Sequence, residues 1–129
     1  MEITTRNQRV GWYHRKHMAM EQQIFDAQER FDNFDRFRDW LKVGAGHVEW
    51  APGPRGGIVP LPKSISYSKM EQGAFEAFHA AVVGFLAADP RPAHFLWPAA
   101  PRDTAFEGLQ GIIAELESCL LYTSDAADE

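Results

Sequence analysis

Residues 47–62 read HVEWAPGPRGGIVPLP, and this stretch decides the fold class. The first four residues alternate in polarity as a half-buried strand does, and PGPRGG at 52–57 is a dense turn signal. The run IVPL at 58–61 is apolar again, which predicts a β-hairpin. Pro60 and Pro62 place the second strand at a sheet edge, because proline has no N–H to donate to a neighbouring strand.

Helical patterns precede the hairpin. Residues near 10–30 are rich in good helix formers, and Met20 and Ile24 lie on an apolar stripe, so a first helix is predicted there. Asn33 is predicted to cap a second helix over 34–43, FDRFRDWLKV, in which Phe34, Phe37 and Leu41 are spaced along one helix face.

Two more helices are predicted after the hairpin. Ser68 and Glu71 have the spacing of a capping box and predict a helix that ends near Ala88. Thr104 and Glu107 repeat this spacing and open a last helix. The proline-rich residues 91–102 between them are predicted to form an ordered apolar strap. The prediction is thus an α+β fold, one small domain in which three to four helices pack with a short antiparallel hairpin.

The last eleven residues, CLLYTSDAADE at 119–129, resemble a translated transposase-type sequencing adapter. We therefore expect residues 1–118 to form the single native domain and 119–129 to be adapter read-through. The segment contains Cys119, the one cysteine of the chain, so no disulfide, thiolate nucleophile or cysteine zinc site is expected. It also contains three acidic residues and no basic one, so the net charge of -5 becomes -2 without it.

Composition excludes several classes of protein. Apolar residues make up 45% and charged residues 24% of the chain, the ordinary mixture of a globular domain. No run of eighteen apolar residues occurs, so we expect no membrane span, and the first residues lack the apolar core of a secretory signal. These features predict a cytoplasmic protein. They do not determine an oligomeric state.

The candidate binding residues lie mainly in a basic head at the start of the chain. Basic side chains can contact phosphate, and aromatic rings can stack on unpaired bases. A nucleic-acid surface is therefore predicted, with Lys63 as an outlying member; the alternative is that the aromatics belong to the core and the charges are solvated. The predicted nucleic-acid-binding residues are Arg6, Arg9, Trp12, Tyr13, His14, Arg15, Lys16 and Lys63.

Catalytic and metal chemistry have weaker support. His14, His17 and Glu21 are spaced to share one helix face, and His47 or Glu49 could complete a metal site. Two histidines without a full ligand motif are weak evidence, so we predict no metal, no cofactor and no catalytic residue. An enzyme is thus less expected than a binding protein.

Several short motifs together resemble one known family. RN at 6–7, HRK at 14–16, FDRFR at 34–38, AGH at 45–47, PKSISY at 62–67 and KM at 69–70 occur in that order. The chain is similar over residues 1 to about 90 to the phage-encoded domain-of-unknown-function family DUF1367. Members usually have an additional N-terminal segment, so we expect this chain to be shortened at its start.

The resemblance implies a phage or prophage protein in a bacterial cytoplasm, and it carries no established activity. A weaker likeness extends to phage recombination accessory proteins that bind single-stranded DNA. We therefore expect a non-enzymatic phage accessory protein that contacts single- or double-stranded DNA in recombination or replication. The alternative is a module that binds a phage or host protein through an apolar patch around Phe95, Leu96 and Trp97.

Overall fold

The computed structural model describes the backbone of residues 2–64 and 70–128 and the side chains of residues 14–64 and 70–117. Within these residues the predicted α+β fold is confirmed, with helices packed beside one two-stranded antiparallel sheet. The elements are α1 (Glu2–Ala27), α2 (Phe34–Gly44), β1 (Val48–Pro52), β2 (Ile58–Pro62), α3 (Gln72–Ala88), α4 (Arg91–Leu96) and α5 (Arg102–Asp128).

All five helices contribute to one apolar core. Helix α1 packs along α5, and α2, α3 and α4 close the remaining sides. Burying one large apolar side chain contributes roughly 1.5–3 kcal/mol, so this shared interior is the main source of stability. Its largest fully buried apolar members are Met20, Ile24, Phe37, Leu41, Phe75, Val82, Leu86, Leu96 and Leu109.

The second helix and the hairpin follow the sequence closely. Asn33 is the N-cap of α2, and its side-chain oxygen accepts a hydrogen bond of 3.0 Å from the backbone N–H of Arg36. In the hairpin, Trp50 lies opposite Pro60 in an antiparallel register. Gly56 and Gly57 have φ angles of 94° and 72°. Side chains other than glycine rarely adopt such angles, so the turn depends on these glycines.

Three predicted helix starts were wrong. Helix α1 begins at Glu2 and ends at Ala27, so it starts earlier than expected. Glu71 is the N-cap of α3 and makes no side-chain capping bond, whereas Ser68 lies outside the described residues. Helix α5 begins at Arg102, which places Thr104 inside its first turn. The reason is that the Pro101 carbonyl already accepts the first helical bond, 2.9 Å from the N–H of Ala105.

The first half of the proline-rich segment predicted as an ordered apolar strap is the short helix α4. Pro92 stands in the first turn of α4, where its missing N–H removes no helical hydrogen bond. The segment is fixed to the end of α1, because Trp97 Nε1 donates to the Ala27 carbonyl and the N–H of Glu29 donates to the Leu96 carbonyl, both at 2.9 Å. Among the described residues, none of the helices is both long and apolar enough to cross a membrane.

Candidate functional site

A chain of polar side chains crosses the interior between four helices. His17 lies at its centre: its Nδ1 is 2.9 Å from Nδ1 of His79, and its Nε2 is 2.5 Å from Oε2 of Glu21. Arg38 Nε donates to the other Glu21 oxygen at 2.8 Å, and His79 Nε2 lies 3.2 Å from a Glu117 oxygen. We call this set the polar cluster; its members are Lys16, His17, Glu21, Arg38, His79 and Glu117.

The protons of the polar cluster can be counted. Three contacts join Glu21, His17, His79 and Glu117 in series, and each needs one proton between its two atoms to be a hydrogen bond. Two neutral imidazoles bring one ring proton each. The three contacts need three protons, whereas two neutral histidines and two carboxylates carry two. The number of bound protons therefore determines whether all three contacts are hydrogen bonds.

Burial and neighbouring charges shift the pKa values of the groups in the polar cluster. Burial alone would raise the pKa of Glu21, but the hydrogen bond and charge of His17 and the charge of Arg38 outweigh burial and lower it. The pKa of Glu117 is lowered in the same way by Lys16 and His79. Burial lowers the pKa of His79, and its bond to Glu117 offsets part of that shift. Both carboxyl groups are thus held ionised, and burial favours the neutral form of His79.

The basic head contributes differently along its length. Arg6, Arg9, Trp12 and Tyr13 belong to the α1 backbone, and their side chains lie outside the described residues. Lys16, in contrast, is 5% exposed and forms an ion pair with Glu117 in the polar cluster.

The other predicted binding residues are separate from one another. Arg15 and Lys63 are exposed, on α1 and just after β2. His14 is half-buried, with its ring 4.3 Å from the ring of Phe75. In the described part of the chain, no three His, Cys, Asp or Glu side chains are grouped so that they could hold a metal ion.

A different basic surface lies where the α1–α2 loop, α4 and the start of α5 meet. An open groove there is lined by Arg30, Arg91, His94, Phe95, Pro98 and Arg102. We call it the basic groove. Three guanidinium groups, a histidine and no carboxylate are among its described lining residues. Guanidinium groups fit phosphate oxygens with two parallel hydrogen bonds, so this lining is suited to a phosphate-bearing ligand.

Arg30 is held in place in the basic groove. Its Nε donates to the Phe95 carbonyl at 2.9 Å, and its guanidinium carbon lies 4.3 Å from the centroid of the Phe95 ring. Within the part of the chain that the structure describes, the Nε atom makes this positioning bond and the terminal NH₂ groups of Arg30 are left for a ligand. A fixed guanidinium loses less entropy on binding than a mobile one.

The carboxyl group of Asp89 lies beside the basic groove and is hydrogen-bonded to Arg91. Hydrogen bonds from Arg91, together with the charges of Arg91 and Arg102, lower the pKa of Asp89 to about 2. Asp89 neutralises Arg91 in part, through contacts of 3.0 Å to its Nε and terminal nitrogen. Arg102 is also the first residue of α5, whose helix dipole adds partial positive charge at the same end.

The apolar patch expected around residues 95–97 is divided by packing. Leu96 is fully buried and Trp97 is half-buried, whereas Phe95 is 38% exposed. The ring of Phe95 stacks on that of Trp40, with centroids 5.4 Å apart and an interplanar angle of 17°. A continuous exposed patch of all three side chains is therefore not formed, and Phe95 serves as one wall of the basic groove.

Sequence reasoning missed the basic groove because its cations are far apart along the chain. Arg30, Arg91 and Arg102 stand singly in three segments, each next to an acidic residue in the sequence or close to one. The sequence feature that could have predicted the basic groove lies in the proline-rich segment between 90 and 101. Had it been assigned as a helix, Arg91 and His94 would have been placed on successive turns of one short element.

The comparisons with known proteins agree with the resemblance noted in the sequence. No curated protein and no solved structure matches the chain. The model of one family, described as protein of unknown function (DUF1367), matches residues 16–89. The matched range spans the hairpin, helices α2 and α3, and every member of the polar cluster except Glu117. The match covers more than half of the chain, which therefore belongs to the DUF1367 family.

Proposed function

We propose that this protein binds nucleic acid without catalysing a reaction, and that the basic groove is its phosphate-binding surface. The observation that carries the proposal is the convergence of Arg30, Arg91 and Arg102 on one open groove. Phosphate contacts supply most of the affinity of proteins for nucleic acid and require little sequence specificity. The proposed binding surface is limited to this part of the protein, because the whole chain has a net charge of -5 and repels polyanions elsewhere.

The rings at the basic groove favour single-stranded over double-stranded ligands. Phe95 is partly exposed and is supported from behind by the parallel ring of Trp40. The guanidinium of Arg30 lies 4.3 Å from the centroid of the same ring, so a base would stack on the guanidinium plane of Arg30, and only an unpaired base can do so. We therefore expect tighter binding to a single-stranded oligonucleotide than to a duplex of equal length.

The biological setting forms part of the same proposal. The likeness to phage-encoded proteins supports a role in phage recombination or replication, in the cytoplasm of a bacterial host. The exposed residues Arg15 and Lys63, which lie on separate elements, are included in the proposal as additional phosphate contacts. Burial, and to a lesser extent the charges of Lys63 and Lys42, lower the pKa of His47, which lies near both lysines.

Fluorescence anisotropy with labelled oligonucleotides at low salt tests the proposal. The Arg102→Ala variant should lose about 1 kcal/mol of binding free energy, a fivefold or larger loss of affinity. Arg55→Ala is the matched control, since it removes an equal charge from the exposed hairpin turn. Equal losses in both variants would reveal an unspecific charge effect, and no binding by the wild-type chain at low salt would refute the proposal.

The predicted basic head is tested in the same assay. An Arg15→Ala, Lys63→Ala double variant removes the exposed described members of the head. Lys16→Ala is a poor choice because it breaks a buried ion pair with Glu117. If the double variant abolishes binding while Arg102→Ala does not, the head is the binding surface and the basic groove is not.

A further inference from the structure

The hairpin has one open hydrogen-bonding edge, which follows from its register. The N–H of Lys63 donates to the His47 carbonyl at 3.2 Å, and the N–H of Gly53 donates to the Gly57 carbonyl at 2.9 Å. Opposite pairs in an antiparallel ladder alternate between bonded and non-bonded. These two bonded pairs lie in the same register as β1 and β2, so bonded pairs occur at every second position counted from them. Val48 and Trp50 occupy the positions between, and their N–H and C=O groups therefore point away from β2.

The two edges of this sheet differ chemically. Pro60 and Pro62 lie opposite Trp50 and Val48, so they occupy the outward-pointing positions of β2, where a missing N–H removes no ladder bond. Prolines block that edge against a further strand. The edge of β1 has free N–H groups at Val48 and Trp50, and the sheet has two strands within the described residues. The hairpin is therefore able to add a strand on one side.

Apolar side chains are exposed beside the open edge. Trp50 is 62% exposed and Ile58 is 68% exposed, on the same sheet face, and Leu61 on the other face is 49% exposed. A two-stranded hairpin is marginally stable in water, and strands added at the β1 edge would cover part of Trp50, whereas Ile58 and Leu61 lie on the more distant strand β2. Exposed apolar clusters of this kind commonly mark an interface.

We propose that β1 pairs with β1 of a second copy of this chain, in an antiparallel arrangement across a two-fold axis at Trp50, to form a four-stranded sheet. In this register the two Trp50 residues exchange both backbone hydrogen bonds. The N–H of Val48 donates to the Pro52 carbonyl of the second copy, because Pro52 also points outwards. The arrangement is self-complementary, as a two-fold dimer requires.

Charge selects this register over its neighbour. An axis at Trp50 places Glu49 directly opposite Ala51 of the second copy. An axis at Glu49 would instead oppose two carboxylates, which is unfavourable across a strand pair. The chosen register also brings the two indole rings together on one face, where aromatic pairs add to the pairing energy.

The available area limits the strength of the dimer. One large aromatic and a few aliphatic side chains amount to roughly 300–400 Å² per copy, about half of the roughly 800 Å² per partner in a standard interface. We therefore expect weak, reversible dimers that form only as the protein concentration rises. This pairing is independent of the basic groove, which lies on other elements.

Sedimentation velocity of the full chain over about two decades of concentration tests the pairing. The wild type should shift from monomer to dimer. Trp50→Pro removes the outward N–H and the indole ring without removing a β1–β2 bond, and it should weaken the dimer at least about tenfold. Ile58→Pro is the matched control, because it makes the same backbone change on the outward side of β2.

Amide hydrogen exchange on the wild-type chain provides a second readout that needs no variant. The N–H groups of Val48 and Trp50 should exchange fast in dilute protein and become protected as concentration rises, whereas that of Ala51 is protected throughout. A chain that stays monomeric at the highest concentration, or Val48 and Trp50 amides that remain unprotected in a dimer, would overturn the proposal. Equal weakening by the two proline variants would overturn it as well.

Discussion

Replacing Glu21 with alanine should be one of the most destabilising single changes in this protein. Glu21 is fully buried and receives hydrogen bonds from His17 and Arg38. Its loss leaves the buried Nε2 of His17 without that acceptor, at about 1–3 kcal/mol, and the removed side-chain atoms leave a cavity at about 1 kcal/mol more. Arg38 is 23% exposed and can turn towards water, so the loss of its hydrogen bond to Glu21 costs little free energy.

The sum is about 3 kcal/mol, in the range found when one partner of a buried ion pair is removed. For a domain of this size it corresponds to a fall of about 10 °C in the unfolding midpoint. Urea unfolding followed by circular dichroism measures the change. Asp26→Ala is the matched control on the same helix, because Asp26 is exposed and accepts one bond from Gln22. If the two variants unfold at the same urea concentration, the polar cluster does not stabilise the fold.

Three further outcomes are expected. Burial lowers the pKa of His79 below 6.5, so near this pH the unfolded chain binds protons more readily than the folded one. The free energy of unfolding should therefore fall as the pH drops through 6.5. Urea midpoints measured from pH about 7.5 to about 5.5 should decrease in the wild type, and should decrease less in His79→Asn. Gly44→Ala should destabilise by about 1–3 kcal/mol, because the new Cβ overlaps the Phe85 ring, whereas Gly84→Ala in open space on α3 should stabilise by about 0.5–1 kcal/mol in thermal unfolding. Asn33→Ala should cost about 1 kcal/mol in the same assay, since it removes the cap of α2.

The elements that depend on local chemistry were predictable from the sequence. The hairpin rests on a turn with two glycines at positive φ and on an alternating strand, and the cap of α2 rests on one asparagine. The apolar spacing in α2 likewise identified Phe37 and Leu41, which are both buried.

The misjudged elements depend on contacts that are remote in sequence. Helix α4 was not predicted because its segment is rich in proline, yet Pro92 occupies a first-turn position and Leu96 is fully buried in the shared core. The capping-box patterns failed because the same spacing occurs by chance near a helix start. Only the backbone geometry distinguished Glu71 as the N-cap from a residue within α3.

The polar cluster was partly visible in the sequence. His17 and Glu21 were noted for their common helix face, but their partners Arg38 and His79 come from α2 and α3. Polar residues spaced like His17 and Glu21 are usually found on an exposed helix face. Here, packing against α2 and α3 buries them in a hydrogen-bonded series. The basic groove was hidden for the same reason, since its arginines meet only after α4 folds against the end of α1.

The salt dependence of oligonucleotide binding tests the central claim most directly. The logarithm of the observed binding constant falls linearly with the logarithm of salt concentration, with a slope set by the number of phosphate contacts. For a single-stranded ligand, Arg102→Ala should reduce the magnitude of this slope by about 0.7 relative to the wild type, and Arg55→Ala should leave it unchanged. A slope that is the same in all three proteins would contradict the assignment of the basic groove as the phosphate-binding surface.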